Sequence, residues 1–376
     1  MSDTQEVAHQ SEPTPAIPPA APPLPPDLLL VIFIHGFKGT DSTFVQFPQR
    51  LQHILSETIQ NTVVECVVFP AYETKGDLTE AVVRFADWLT NLTVQREVAN
   101  GTGGGAGKAR IVLCGHSMGG LLTADALLEF VRTRPDSAAP IWPNIVACLA
   151  FDTPYLGLHP YVFKNSATQA ASYVQSARSA YSAFQSFTSK SPVTTTASAP
   201  KAAITAPPVA AQTASAWQKW APAAYAVGGA LVAGAAAGTA YWKREDLGLG
   251  YKWAADHMKY VGTLWDERAL HRRLERLLAV ERDMGVIFRT FYTSLPAEPS
   301  SNPEPRTFIV LPKQGTIVAE HFLEARNALA QDEVQAHTGM FGSKTNDGYY
   351  ELGLATAQFI REAVAINKES SVAAGT

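Results

Sequence analysis

The residue of this sequence best placed for covalent chemistry is Ser117, in the run Gly115-His116-Ser117-Met118-Gly119-Gly120. A serine hydroxyl becomes a nucleophile when a neighbouring base takes its proton, and a G-x-S-x-G run between a strand and a helix presents such a serine on a sharp bend. Both flanks fit that context. RIVLCG (110–115) is an apolar run of strand type, and MGGLLTADALLEFV (118–131) has the apolar spacing of a helix packed on a sheet. Glycines suit the bend because the serine backbone is strained there and neighbouring side chains would collide. The helix N-terminus also puts a positive end where negative charge develops. The alternative reading is a Gly-rich turn of purely structural use. Other chemistries find no support. The glycine-rich NGTGGGAGK (100–108) precedes a strand instead of joining strand to helix, and no GK[ST] follows, so it reads as a linker. Neither HExxH nor another ligand cluster occurs, so neither a metal nor a cofactor is expected. Cys66, Cys114 and Cys148 lie in or beside apolar runs without CxxC or Cys/His spacing and read as core filler.

The elements that must hold Ser117 follow a regular rhythm. Residues 1–26, rich in Pro, Ala, Ser and Thr, read as a disordered leader. From Asp27 the run LLLVIFIHG has the pattern of a parallel strand covered on both faces. A helix over Phe47–Thr58, a strand at 63–69, a helix over Leu78–Leu92, the strand and helix around Ser117, and a strand at 144–151 ending near Asp152 come next. Strands alternating with helices predict βαβ crossovers and a mainly parallel central sheet flanked by helices. The rhythm lapses between about Lys164 and Val261. There 189–216 reads as a loose linker, and APAAYAVGGALVAGAAAGTAYW (221–242) is uncharged and flanked by Lys219, Trp220, Trp242, Lys243 and Arg244. This helical or low-complexity insert has three readings: a segment (217–244) that docks on or enters a membrane, a buried Ala/Gly helix, or a disordered tract. Beyond it the sequence predicts an amphipathic helix at 265–285, strands at 286–295 and 307–312, a helix at 320–330, a loop through 333–348 and a helix near 351–366. The organisation is therefore a first core part (27–163), an insert (164–261), a second core part (262–367) and a disordered tail (368–376).

Three segments in this order, FIHGFKGT (33–40), GHSMGG (115–120) and FDTPYLGLHP (151–160), resemble the α/β-hydrolase superfamily, in particular intracellular lipase-like serine esterases. The resemblance covers roughly 27–160 and 285–365; the insert departs from it in composition, and the resemblance implies a lid there, since 160–265 sits where a lid emerges in lipases. It implies the α/β-hydrolase fold, with an oxyanion held by the backbone amides of Met118 and Phe37. His35 would then brace the loop after the first strand. It also implies the chain order serine, acid, histidine, which leaves His321 and His337 as bases among nine histidines. His337, in the stretch before the closing helix, is the favoured one. The acid has two main candidates, Asp152 at the end of the strand after the nucleophile strand and Glu298 after the following strand. Glu304 lies in the same stretch as Glu298, and Asp332 and Glu333 lie close to His337 in sequence but at a helix end. The alternative for Asp152 is a turn-forming residue before Thr-Pro.

Composition narrows the class. A net charge of −4 without a Lys/Arg run gives no footprint for nucleic acid. The leader lacks the charged and then apolar regions of a secretory signal, which with reduced thiols predicts an intracellular location, membrane-associated if 217–244 docks. The expected activity is hydrolysis of a carboxylic ester, with a small-molecule or lipid ester as substrate. The rivals are a thioesterase or amidase on the same scaffold, and a catalytically silent membrane scaffold.

Overall fold

A computed structural model describes residues 27–72, 77–101, 109–162, 264, 266–297 and 305–374. The apolar run after Asp27 forms β1 (Asp27–Ile34), buried from Leu28 onward. Leu28, Leu30, Ile32 and Ile34 enter one hydrophobic layer, and Leu29, Val31 and Phe33 enter the other. Successive side chains of a strand point to opposite faces, so an interior strand with both faces covered reads as unbroken apolar sequence.

β1 pairs in parallel with β2 (Thr62–Val68) on one side and β3 (Ala109–His116) on the other. β4 (Ile145–Phe151) and β5 (Ile287–Leu295) extend the parallel sheet. On β5, β6 (Arg306–Thr307) pairs antiparallel at Ser294–Leu295, and β7 (Phe322–Arg326) pairs in parallel along Thr290–Ser294. One layer holds α2 (Leu78–Ala99), α3 (Met118–Arg132) and α4 (Glu267–Met284), which bring Phe85, Leu121 and Leu277 onto the sheet. The other holds α1 (Phe47–Thr58) and the closing helix α7 (Tyr349–Ala374), with Leu51, Leu55, Leu352 and Ile360. Each fully buried leucine contributes about 2 kcal/mol. Helix ends follow their sequence signals. The carboxylates of Asp77 and Asp266 accept from the amides of Thr79 and Ala269 to open α2 and α4, and Gly285 at φ 68° closes α4. Arg273 on α4 donates twice to Asp125 on α3, at 2.6 and 2.9 Å, and so locks these helices side by side.

Four expectations change. The helix expected at 320–330 is a single turn, α5 (Ile317–Glu320), followed by strand β7. The edge of β5 at Thr290–Ser294 offers Phe322–Arg326 a full ladder, which outweighs weak local propensity. The strand expected at 307–312 shrinks to β6 and an isolated bridge between Ile309 and Leu158, because only these residues find strand partners. The loop expected through 333–348 contains α6 (Glu333–Thr338), opened by Asp332, whose carboxylate accepts from the Gln335 amide at 2.8 Å. The closing helix runs to Ala374 rather than ending near 366, so most of the expected 368–376 tail is helical. The leader 1–26, the whole of the insert 164–261 with its 217–244 segment, Glu298 and Glu304 lie outside the described residues. Among the described residues no helix is long and apolar enough to cross a membrane.

Candidate active site

Strand β3 ends at His116 and helix α3 begins at Met118, so the whole change of direction falls on Ser117, at φ 56° and ψ −129°. A non-glycine residue held there costs on the order of 1–3 kcal/mol, and the surroundings must enforce it. They do so at close range. The Ser117 amide donates to the carbonyl of Phe151 at the end of β4, 2.8 Å away, and the Gly120 amide donates back to the Ser117 carbonyl at 3.0 Å. A Cβ at Gly119 would collide with the backbone carbonyl of Ile34, so only glycine lets α3 start against the end of β1. Ser117 itself is half-buried.

Gly36 presses on the same bend. A Cβ there would lie 2.5 Å from Ser117 Cβ and 3.0 Å from the Met118 nitrogen. The loop after β1 therefore passes against the start of α3, with Phe37 as its next residue. The loop is braced from behind. Tyr72 donates its hydroxyl to the His35 carbonyl at 2.9 Å, and the two rings stack at 4.7 Å. His35 is buried, and this burial holds its pKa below the ordinary imidazole value. It is thus a neutral brace at neutral pH.

Asp152 follows β4 and is also strained, at φ 49°. It is fully buried, and a buried carboxylate is tolerable only with its oxygens occupied. Oδ1 accepts from the Thr293 amide at 2.9 Å; Oδ2 accepts from the Thr293 hydroxyl at 2.7 Å and from His337 Nδ1 at 2.8 Å. Because a carboxylate can only accept, Nδ1 of His337 carries the proton and Nε2 is left with the lone pair, the tautomer a general base needs. The ring of His337 lies between two others. Phe308 stacks on one face at 3.7 Å and 11°, and His116, the residue before Ser117, stacks at 4.4 Å and 29°. The fold thus gathers Ser117, His337, Asp152, Phe37 and Met118 at the C-terminal ends of the parallel strands, where open α/β sheets bind ligands.

The other candidates are engaged elsewhere. His321 bonds through Nδ1 to the Ile317 carbonyl at 2.8 Å and through Nε2 to Glu281 at 2.9 Å, so neither ring nitrogen is available to a serine. Asp332 caps α6, and Glu333 is buried 3.6 Å from Arg306. Sequence reasoning did not anticipate Thr293, Phe308 or the stacked position of His116. Thr293 is set by the register of β5, and Phe308 by a segment expected as strand; neither carries a local signal. A cavity of about 660 Å³ among Leu128, Ile141, Val280 and Ile366 lies by the starts of β4 and β5, at the far end of the sheet, and contains none of the site residues.

Residues 27–189 match a family described as "Putative serine esterase (DUF676)". Among solved structures, phospholipase PlaB from Legionella pneumophila is similar at 15% identity over 35% of this chain and 26% of that one, with a TM-score of 0.26. This chain thus spans about a quarter of that phospholipase. A structure from work on carboxylesterases of the thaumarchaeon Nitrososphaera gargenis is similar at 8% identity over 89% and 91%, with a TM-score of 0.36. The RedJ thioesterase of Streptomyces coelicolor is similar at 22% identity over 37% and 49%, with a TM-score of 0.22. No curated protein matches.

Proposed function

We propose that this chain, whose mainly parallel sheet flanked by helices is that of the α/β-hydrolase fold and whose residues 27–189 match a serine-esterase family, is a carboxylic ester hydrolase working through an acyl-enzyme on Ser117. The observation that carries the reading is the 2.8 Å bond from His337 Nδ1 to buried Asp152, with the ring stacked on the neighbour of the strained Ser117. In the first step the Ser117 oxygen bonds to the ester carbonyl carbon while His337 Nε2 takes its proton. The carbonyl oxygen becomes an oxyanion under the amides of Phe37 and Met118. As the tetrahedral centre collapses, the bond to the alkoxy oxygen breaks, and that oxygen leaves as alcohol with the proton from His337. Water then repeats the sequence. His337 takes a water proton, hydroxide attacks the acyl carbon, and Ser117 recovers its proton as the acid departs. Asp152 stabilises the imidazolium in both halves without itself being protonated.

The substrate class in this reading is an apolar or lipid ester, supported by the Ala/Gly-rich composition of 221–242, with 217–244 as a membrane contact. The test is reaction with a fluorophosphonate probe and turnover of a short-chain nitrophenyl ester. Wild type is expected to label and turn over, and Ser117→Ala to do neither. Undiminished labelling of Ser117→Ala would remove Ser117 from the chemistry.

A further inference from the structure

We propose that His116 is a positioning residue for His337: its ring and that of Phe308 clamp the base from both faces, so that the imidazole keeps one orientation between Asp152 and Ser117. This inference rests on the proposed hydrolytic role of Ser117 and His337.

The argument begins with what could move. A histidine ring held by one hydrogen bond can still rock about that bond, and rocking carries Nε2 out of line with the hydroxyl it must deprotonate. Here the rocking is blocked. Phe308 lies 3.7 Å from the His337 ring centre and nearly parallel to it, and His116 lies 4.4 Å away on the opposite face. A ring in that slot can shift only within its own plane, along the direction set by its bond to Asp152. His116 adds a second hold. Its Nε2 faces the backbone carbonyl of His337 at 3.2 Å, and since a carbonyl only accepts, Nε2 carries the hydrogen and donates it. One side chain therefore fixes both the backbone and the ring face of the base.

His116 is itself immobilised. It is 5% exposed, with Phe44 and Phe341 packed edge-on at 6.4 and 5.3 Å. The titratable groups facing it are His337 from α6 and His35 from the end of β1. Burial first, and then the neighbouring imidazole of His337, keeps its pKa well below the ordinary value. A neutral ring can lie against His337 when that residue becomes imidazolium; a second cation could not. Because Ser117 follows His116 directly, the clamp also ties the base to the residue it serves. A histidine between Gly115 and Ser117 thus gains a use that neither the elbow nor proton transfer requires.

The test compares His116→Ala, His116→Phe and His116→Gln with wild type on a nitrophenyl ester, with thermal unfolding recorded for each. A misplacement of about 1 Å costs about hundredfold in rate, so His116→Ala is expected to lower kcat by about that factor with KM within about twofold. His116→Phe keeps a flat face and is expected to recover to within about tenfold of wild type, whereas His116→Gln keeps a donor without the face and is expected to stay about hundredfold down. A structural role alone would lower the unfolding midpoint and leave kcat per folded molecule unchanged. If His116→Ala does not fold, the Phe and Gln pair decides by the same contrast. Equal kcat in the Phe and Gln variants, or a folded Ala variant with wild-type kcat, would overturn the proposal. Failure of the hydrolytic reading has a different signature, retained turnover in Ser117→Ala.

Discussion

The sharpest perturbation of the site is Asp152→Asn, which preserves shape and removes only the ability to accept at both oxygens. The Thr293 amide at 2.9 Å can only donate, so the carbonyl oxygen of the new side chain must stay at the Oδ1 position, and its NH₂ replaces Oδ2. Two groups face that NH₂. The Thr293 hydroxyl, at 2.7 Å from Oδ2, can rotate and accept. The imidazole, at 2.8 Å, must instead offer a bare Nδ1, which moves its proton to Nε2, the atom that should receive the proton of Ser117. A reversed tautomer of this kind costs about 10⁴-fold in kcat, or about 5 kcal/mol of barrier. Stability should change little, because every buried polar group keeps a partner of the right polarity. The assay is turnover of a nitrophenyl ester per mole of folded protein, with thermal unfolding as the control. An Asp152→Asn protein that unfolds like wild type and turns over within about tenfold of it would refute the assignment of Asp152 as orienting acid.

Two further outcomes follow from neighbouring features. Gly36→Ala puts a Cβ 2.5 Å from Ser117 Cβ and should push the loop off the elbow, lowering kcat by about hundredfold as one oxyanion donor is displaced; wild-type kcat would show that the Phe37 amide does not serve. His321 has a pKa raised by its bond to Glu281. The carboxyl of Glu281 is pushed upward by burial, but the bonds from His321 and Arg289 outweigh this and leave it lowered. The stabilisation by His321 should be fully present below the ordinary histidine value of 6.5 and lost as pH rises through the higher folded value. His321→Gln should therefore destabilise the fold by about 1 kcal/mol near pH 5.5 and by less near pH 8.5, read as unfolding midpoints; a pH-independent difference would show that the pair does not contribute through charge.

The legibility of this molecule varied with how local each determinant is. β1 could be read because an interior strand is apolar at every position from Leu28 to Ile34, and Ser117 because the elbow is spelled out in six consecutive residues. The helix holding His337 was missed although Asp332 and Gln335 have capping spacing, since one side chain opening a six-residue helix is a faint signal beside its polar surroundings. β7 was misread because five residues with two charges, Glu324 and Arg326, become strand only when β5 lies beside them. Thr293, the stacking of Phe308 and the clamp by His116 exist only after strands from distant parts of the chain are in register, and no window of sequence contains both partners. Asp152 could be named because its strand could be named; that it would be bound twice by Thr293 could not.

Asp152 follows one strand and Thr293 sits on the next, yet in the sequence 140 residues lie between them. Their alignment is set by the ladder from Ala147–Phe151 to Ile287–Phe291 and by the Asp152 amide on the Phe291 carbonyl at 2.6 Å. The spacing between the Asp152 carboxylate and Thr293 is thus a property of the ladder between β4 and β5, and whatever loosens that ladder loosens the hold on His337 with it.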